Sequence, residues 1–274
     1  MVKAYLRYTF ENVCGLVSGH SSNIITNDNY IFSGNSQYVT ITNSKTEEIV
    51  KILFDKDKNS EVTFLALSNS LNYQKILAVG YVDGDILIWN LEDYSIKCNL
   101  NAHKNNITCI QFNDDCSQLI SGSDDTSIIV WDLLGEQALY KLTGHKNSIT
   151  DLLYYKYRDN NTNQINEFIL STSKDGLFKI WDMAIASSVQ TISSLSNQVW
   201  NMALYKEEKI ILLGTNNDEV IVLKFITTQN SQTKQNKIVE NIGIYKKQSF
   251  AHPTQMTFTN NNQYLFLLTN EKTH

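Results

Sequence analysis

The stretch HKNNITCIQFNDDCSQLISGSDDTSIIVWDLLGEQALYKLTGH, residues 103–145, decides the fold of this chain. It begins and ends on histidine, 42 residues apart, and between them short β-branched and aromatic segments alternate with polar turns. Such segments favour strands, and no stretch here carries the 3.6-residue period of a helix. The unit recurs on both sides: VGYVDGDILIWNL ends at Leu91 and STSKDGLFKIWDM at Met183. Trp89, Trp131 and Trp181 mark the copies, at steps of 42 and 50 residues. Self-similarity at ~40–45 residues, with four short strands per unit and a Trp-Asp pair, is the signature of a β-propeller blade. The predicted fold is therefore all-β, a propeller built of repeated four-stranded blades.

The longer second step has a visible cause. His103 to Trp131 is 28 residues but His145 to Trp181 is 36, and the polar run RDNNTNQIN (158–166) supplies the difference as a loop between the first two strands of its blade. Two further copies are degenerate, with Thr42 and Leu223 in the tryptophan position. Blades are expected near 13–53, 62–100, 106–142, 148–192 and 198–246, with a partial sixth at 254–268. TTQNSQTKQNK (227–237) is expected to be a disordered loop within blade 5. The copies come to about five and a half. Propellers typically use 4–8 blades and close the ring, so the expectation is a longer protein with a seven-bladed ring.

A hydrophobic fraction of 42% supports one continuous core. The net charge of −5 argues against a broadly basic nucleic-acid footprint but leaves room for a local basic loop. Cys14, Cys98, Cys109 and Cys116 show no CxxC pairing, so reduced thiols of a nuclear or cytosolic protein are expected, with no zinc site. No secretory h-region or ~20-residue apolar span occurs, so no membrane association is expected. No GxGxxG or GxxxxGK[ST] is present, and no cofactor or small-molecule substrate is expected.

His103, Ser121, Asp125 and Trp131 recur at matching offsets as His145, Ser171, Asp175 and Trp181, while Asp83 and Trp89 form a partial third copy lacking His and Ser. Ser, His and Asp together suggest a nucleophilic triad. A triad is needed once, however, whereas a hydrogen-bonded clamp is needed in every blade. The predicted role is structural and the protein is expected not to be an enzyme. In the clamp the aspartate holds the imidazole, the imidazole meets the serine, and the indole N–H ends the chain, which satisfies each buried polar group. Trp200 sits on the first strand of blade 5, as core or as a partner anchor. Lys206, Lys209, Lys234, Lys237, Lys246 and Lys247 give blade 5 a modest basic bias, which is either a solvated surface or an RNA or partner contact.

Several segments resemble one family: the tandem-propeller subunit of the UTP-B module of the small-subunit processome (WD-repeat protein three in animals). They are MVKAYLRYTFENVCGLVSG (1–19), LAVGYVDGDILIWNL (77–91), LISGSDDTSIIVWDLLGEQALYKLTGHKNSIT (119–150), STSKDGLFKIWDM (171–183), VWNMAL (199–204) and GIYKKQS (243–249). The resemblance spans most of residues 1–250 and is most specific from His103 to Thr150. It implies a nucleolar scaffold that supports early pre-rRNA processing and 18S rRNA maturation. Implied partners are other UTP-B WD-repeat subunits, the 5′ external spacer of pre-ribosomal RNA and the processome's small nucleolar RNA. It also implies a second propeller and a helical C-terminal region beyond this chain. Two departures are Thr42, where the family's first blade has Trp, and Leu195, where a His would open blade 5. The alternative expectation is a WD-repeat adaptor of another complex, a ubiquitin-ligase substrate receptor or a signalling platform.

Overall fold

The computed structural model describes residues 22–27, 29–68, 75–158, 165–193, 198–217, 219–226, 238–246, 253–258 and 265–269; in the last two segments only the side chain of Met256 is included. Every regular element among them is a strand. Blade 1 comprises β1 (Ile24–Asn27), β2 (Tyr30–Asn35), β3 (Tyr38–Asn43) and β4 (Ile49–Leu53). Blade 2 comprises β5 (Val62–Leu67), β6 (Ile76–Tyr81), β7 (Asp85–Asn90) and β8 (Ser95–Asn101). Blade 3 comprises β9 (Ile107–Phe112), β10 (Gln118–Ser123), β11 (Ile128–Asp132) and β12 (Gln137–Leu142). Blade 4 comprises β13 (Ile149–Arg158), β14 (Ile165–Ser173), β15 (Leu177–Asp182) and β16 (Ser187–Ser193). Blade 5 comprises β17 (Val199–Tyr205), β18 (Ile210–Thr215), β19 (Glu219–Phe225) and β20 (Val239–Lys246). A two-stranded sheet, β21 (Pro253–Phe258) and β22 (Leu265–Thr269), follows. Each sheet is an antiparallel meander in sequence order.

Burial follows position within the blade. All six residues of β6 are buried, as are the last five of β10, whereas β4 and β20 are exposed along nearly their whole length. The core lies between blades. Phe32, Val39 and Ile41 of blade 1 pack on Leu65, Leu77 and Trp89 of blade 2. Ile86, Ile88 and Leu100 of blade 2 meet Ile107, Leu119 and Trp131 of blade 3. Ile120, Ile128 and Val130 of blade 3 meet Ile149, Leu152 and Trp181 of blade 4. Each tryptophan therefore seals its blade against the preceding one, and the area it removes from water is the main favourable term there.

A bulge recurs where the third strand meets the fourth, directly before the tryptophan: Ile88/Trp89, Val130/Trp131 and Ile180/Trp181. The degenerate blades keep it at Ile41/Thr42 and Val222/Leu223. Thr42 and Leu223 thus occupy the tryptophan position by backbone register, not only by alignment. Bulges sharpen local twist, which a blade running from channel to rim requires.

The insert is corrected in one respect. Arg158, Ile165 and Asn166 are strand, because Tyr157 pairs with Asn166 and Arg158 with Ile165. The insertion lengthens the paired strands of the β13–β14 hairpin. Residues 227–237, and Leu195 at the expected start of blade 5, lie outside the described residues. So does blade 1 before Ser22.

Candidate functional site

The repeat serines, histidines and aspartates come together within each blade. In blade 3, His103 Nδ1 lies 3.1 Å from Asp125 Oδ2 and its Nε2 lies 2.8 Å from Ser121 Oγ. Trp131 Nε1–H donates to the same Ser121 Oγ at 2.8 Å. Blade 4 repeats the set: His145 Nδ1 to Asp175 Oδ2 is 2.9 Å, Nε2 to Ser171 Oγ is 2.8 Å, and Trp181 Nε1–H donates to Ser171 Oγ at 2.8 Å. A carboxylate only accepts, so Nδ1 carries the hydrogen in each, and the bonds run Trp→Ser→His→Asp.

The electrostatics follow from this order. Burial alone would raise the Asp125 carboxyl, but hydrogen bonds from His103, Ser127 and the Lys104 N–H hold it well below the usual carboxylate range. Burial opposes the same bonds at Asp175, and donors from Lys146 N–H, His145 and Leu177 N–H again prevail and lower it. Burial lowers His145, which keeps its imidazole neutral as Nε2 acceptance requires. Ser121 and Ser171 are wholly buried, so neither hydroxyl can meet a substrate.

Blade 2, which lacks the repeat's His and Ser, holds its turn aspartate by other means: Ser60 Oγ–H donates to Asp83 at 2.6 Å, and Lys58 Nζ bridges it, at 2.9 Å, to Asp85. Burial would lower the Lys58 ammonium, but Asp85 and Asp83 raise it instead. A lysine clamp thus replaces the histidine clamp. The spacing carries a faint signal, since Ser60 precedes Asp83 by 23 residues and His103 precedes Asp125 by 22. The price is Trp89: Val79 stands in register where Ser121 and Ser171 stand, and the buried Nε1–H of Trp89 finds no acceptor among the described residues.

The first strands surround a central channel of about 1290 Å³, lined from Ser22 of blade 1 round to Met256. Side chains here latch each blade to the next. Asn23 accepts the Leu65 N–H at 2.7 Å and donates to the Leu65 carbonyl at 3.0 Å. Asp151 Oδ2 accepts the Met202 N–H at 2.9 Å, and Asn201 Oδ1 accepts the Met256 N–H at 3.0 Å. Thr63 and Thr150, at first-strand bulges, donate to Ile107 O (2.6 Å) and Val199 O (2.8 Å) of the following blade. None of this is legible in the sequence, because a latch pairs residues 42 to 55 positions apart. Burial pushes the Asp151 carboxyl up to about 7.

Trp200 occupies the bulge of β17, at the position held by Thr63 and Thr150 in their blades. It is half-buried and lines the channel beneath Lys174, whose Nζ lies 5.2 Å from its ring centre. Lys206 and Lys209 come together beside the β13–β14 hairpin, while Lys246 ends the exposed outer strand β20. Lys234, Lys237 and Lys247 lie outside the described residues. Cys98, Cys109 and Cys116 are buried. Among the described residues, no group of three or more His, Cys, Asp or Glu could hold a metal, and no helix is long and apolar enough to cross a membrane.

Meander blades around a channel, Trp-Asp third strands and His-Ser-Asp-Trp clamps define a WD-repeat β-propeller. The chain belongs to the family described as the WDR3 first beta-propeller domain, which matches residues 29–225. That match runs from the second strand of blade 1 to the third of blade 5. The chain is 36% identical over 224 residues (74% of its length) to U3 small nucleolar RNA-associated protein 12 of Saccharomyces cerevisiae. It is 32% identical over 107 residues (39% of its length) to a WD repeat-containing protein 3 homolog of Dictyostelium discoideum. These matches cover 22% and 11% of the relatives' own lengths, so the chain spans a minor part of either.

Proposed function

We propose that this propeller belongs to a non-catalytic scaffold of ribosome biogenesis, a subunit of the UTP-B subcomplex of the small-subunit processome. The carrying observation is the family match over blades 1 to 5, together with a yeast relative whose name states association with the U3 small nucleolar RNA. The scaffold would act in the nucleolus, where it supports early pre-rRNA processing and 18S rRNA maturation. Its partners would be other UTP-B WD-repeat subunits, the 5′ external spacer and the small nucleolar RNA.

The site supports a structural role for the Ser-His-Asp sets. Each hydroxyl is wholly buried and is already engaged by both an imidazole and an indole, and the arrangement occurs in two adjacent blades. A nucleophile needs an open face toward its substrate, and these buried serines present none.

Gradient sedimentation of the tagged full-length protein tests the assignment. Co-sedimentation with large nucleolar particles, and loss of 18S rRNA on depletion, are expected. Recovery with a ubiquitin ligase or signalling complex, without pre-ribosomal RNA, would contradict it and favour the adaptor reading.

A further inference from the structure

The insertion in blade 4 builds something no other described blade has. It extends β13 to ten residues where β9 has six, which carries Tyr157 and Arg158 beyond the end of the neighbouring blade. Insertions of this kind map to one face of a repeat fold, often the binding face. Opposite stands the turn between β17 and β18, fixed by the left-handed backbone of Lys209 (φ 57°) and by the Phe225 N–H donating to the Lys209 carbonyl at 3.0 Å. Between the two walls lies a groove of about 270 Å³.

Its lining is cationic and aromatic. Arg158 and Lys206 are exposed and, with Lys209, form no ion pair among the described residues. Lys209 Nζ sits 4.7 Å from the ring centre of the half-exposed Tyr157. Lys156 is already neutralised by Glu167 at 3.3 Å and Asp115 at 3.8 Å, and Asp114 is the one acid among the described residues of the lining. On a chain of net charge −5, three cations beside an aromatic ring are a local device, not part of a general basic field.

We propose that this groove binds single-stranded RNA, with Arg158, Lys206 and Lys209 on successive phosphates and Tyr157 as an aromatic contact for a base. A basic groove that tracks the backbone, combined with aromatic side chains, is how single strands are held without sequence preference. An acidic peptide would use the cations but leave the ring idle. The inference rests on the reading of the protein as an RNA-associated factor and assigns that contact a place.

The test is fluorescence anisotropy of the full-length protein with a fluorescein-labelled oligouridine across a salt titration. Arg158→Ser/Lys206→Ser/Lys209→Ser should bind about tenfold more weakly. Its log K against log salt slope should fall by roughly 2, at about 0.7 for each phosphate no longer neutralised. Tyr157→Ala should weaken binding by about tenfold with little change in slope. Absence of oligouridine binding by the wild type, or a triple variant with unchanged affinity and slope, overturns the proposal. So does a triple variant that loses polyglutamate binding while keeping RNA. Sedimentation of the same variants with pre-ribosomal particles is a separate readout: a groove that fails while sedimentation persists sinks this inference and leaves the processome assignment standing.

Discussion

Replacing Asp151 by Asn should stabilise the propeller, by an amount that depends on pH. Asp151 accepts the Met202 N–H at 2.9 Å and the Leu152 N–H at 2.8 Å, and no cation pairs with it among the described residues. Burial raises its carboxyl from 3.8 to about 7. Each pH unit is worth 1.36 kcal/mol, so ionising it in the fold costs at most about 4 kcal/mol, and about 2 kcal/mol once partial exposure is allowed for. The sign follows from linkage. Between pH 4 and 7 the folded state binds more protons than the unfolded one, so this group erodes stability as pH rises and its full cost is reached above pH 7. An amide carries no such cost. Asn23 shows the geometry, accepting from Leu65 N–H and donating to Leu65 C=O, and Asn201 uses the same register position. Urea unfolding followed by tryptophan fluorescence should give Asp151→Asn a higher midpoint than wild type at pH 8, the gap closing toward pH 4. A variant less stable than wild type at pH 8 would refute the reasoning, since the ionised carboxylate would then be the better latch.

The clamps make a complementary prediction. Asp125→Ala strands the buried His103 Nδ1–H and two backbone donors and should cost about 3 kcal/mol, with a similar loss for Asp175→Ala in the same unfolding assay. Both carboxyls are held below their usual range, so their contribution is present above pH 4 and fades as acid protonates them, which an acid titration of the wild type should display. Val79→Thr is nearly isosteric and offers the Trp89 indole its missing acceptor. It should be neutral or stabilise by up to about 1 kcal/mol, whereas an unpartnered buried hydroxyl costs about 1–3 kcal/mol, and thermal unfolding separates the two. Thr126 holds φ 70° where blades 2 and 4 place Gly84 and Gly176, so Thr126→Gly should raise stability by about 1 kcal/mol, read from the urea midpoint.

The blades are legible because each is a local meander, with pairing set by turns a few residues long and marked by a tryptophan at a fixed step. The clamps of blades 3 and 4 are legible for a related reason: the same four residue types recur at matching offsets. Blade 2 escapes that pattern because a search for histidine passes over Lys58, which reaches the same carboxylates with a different chemistry. The latches of Asn23, Asp151 and Asn201 are invisible, since they cross between blades and leave no short-range pattern. Trp200 shows the same limit. The sequence leaves it open as core or as a partner anchor, and only the bulge of β17 places it on the channel.

The central claim is that this propeller serves a pre-ribosomal scaffold. Crosslinking of the full-length protein in cells, followed by sequencing of the bound RNA, tests it most directly. Enrichment of the 5′ external spacer and of the U3 small nucleolar RNA is predicted. Recovery of neither, with the protein instead held in a complex devoid of pre-ribosomal RNA, would contradict the account.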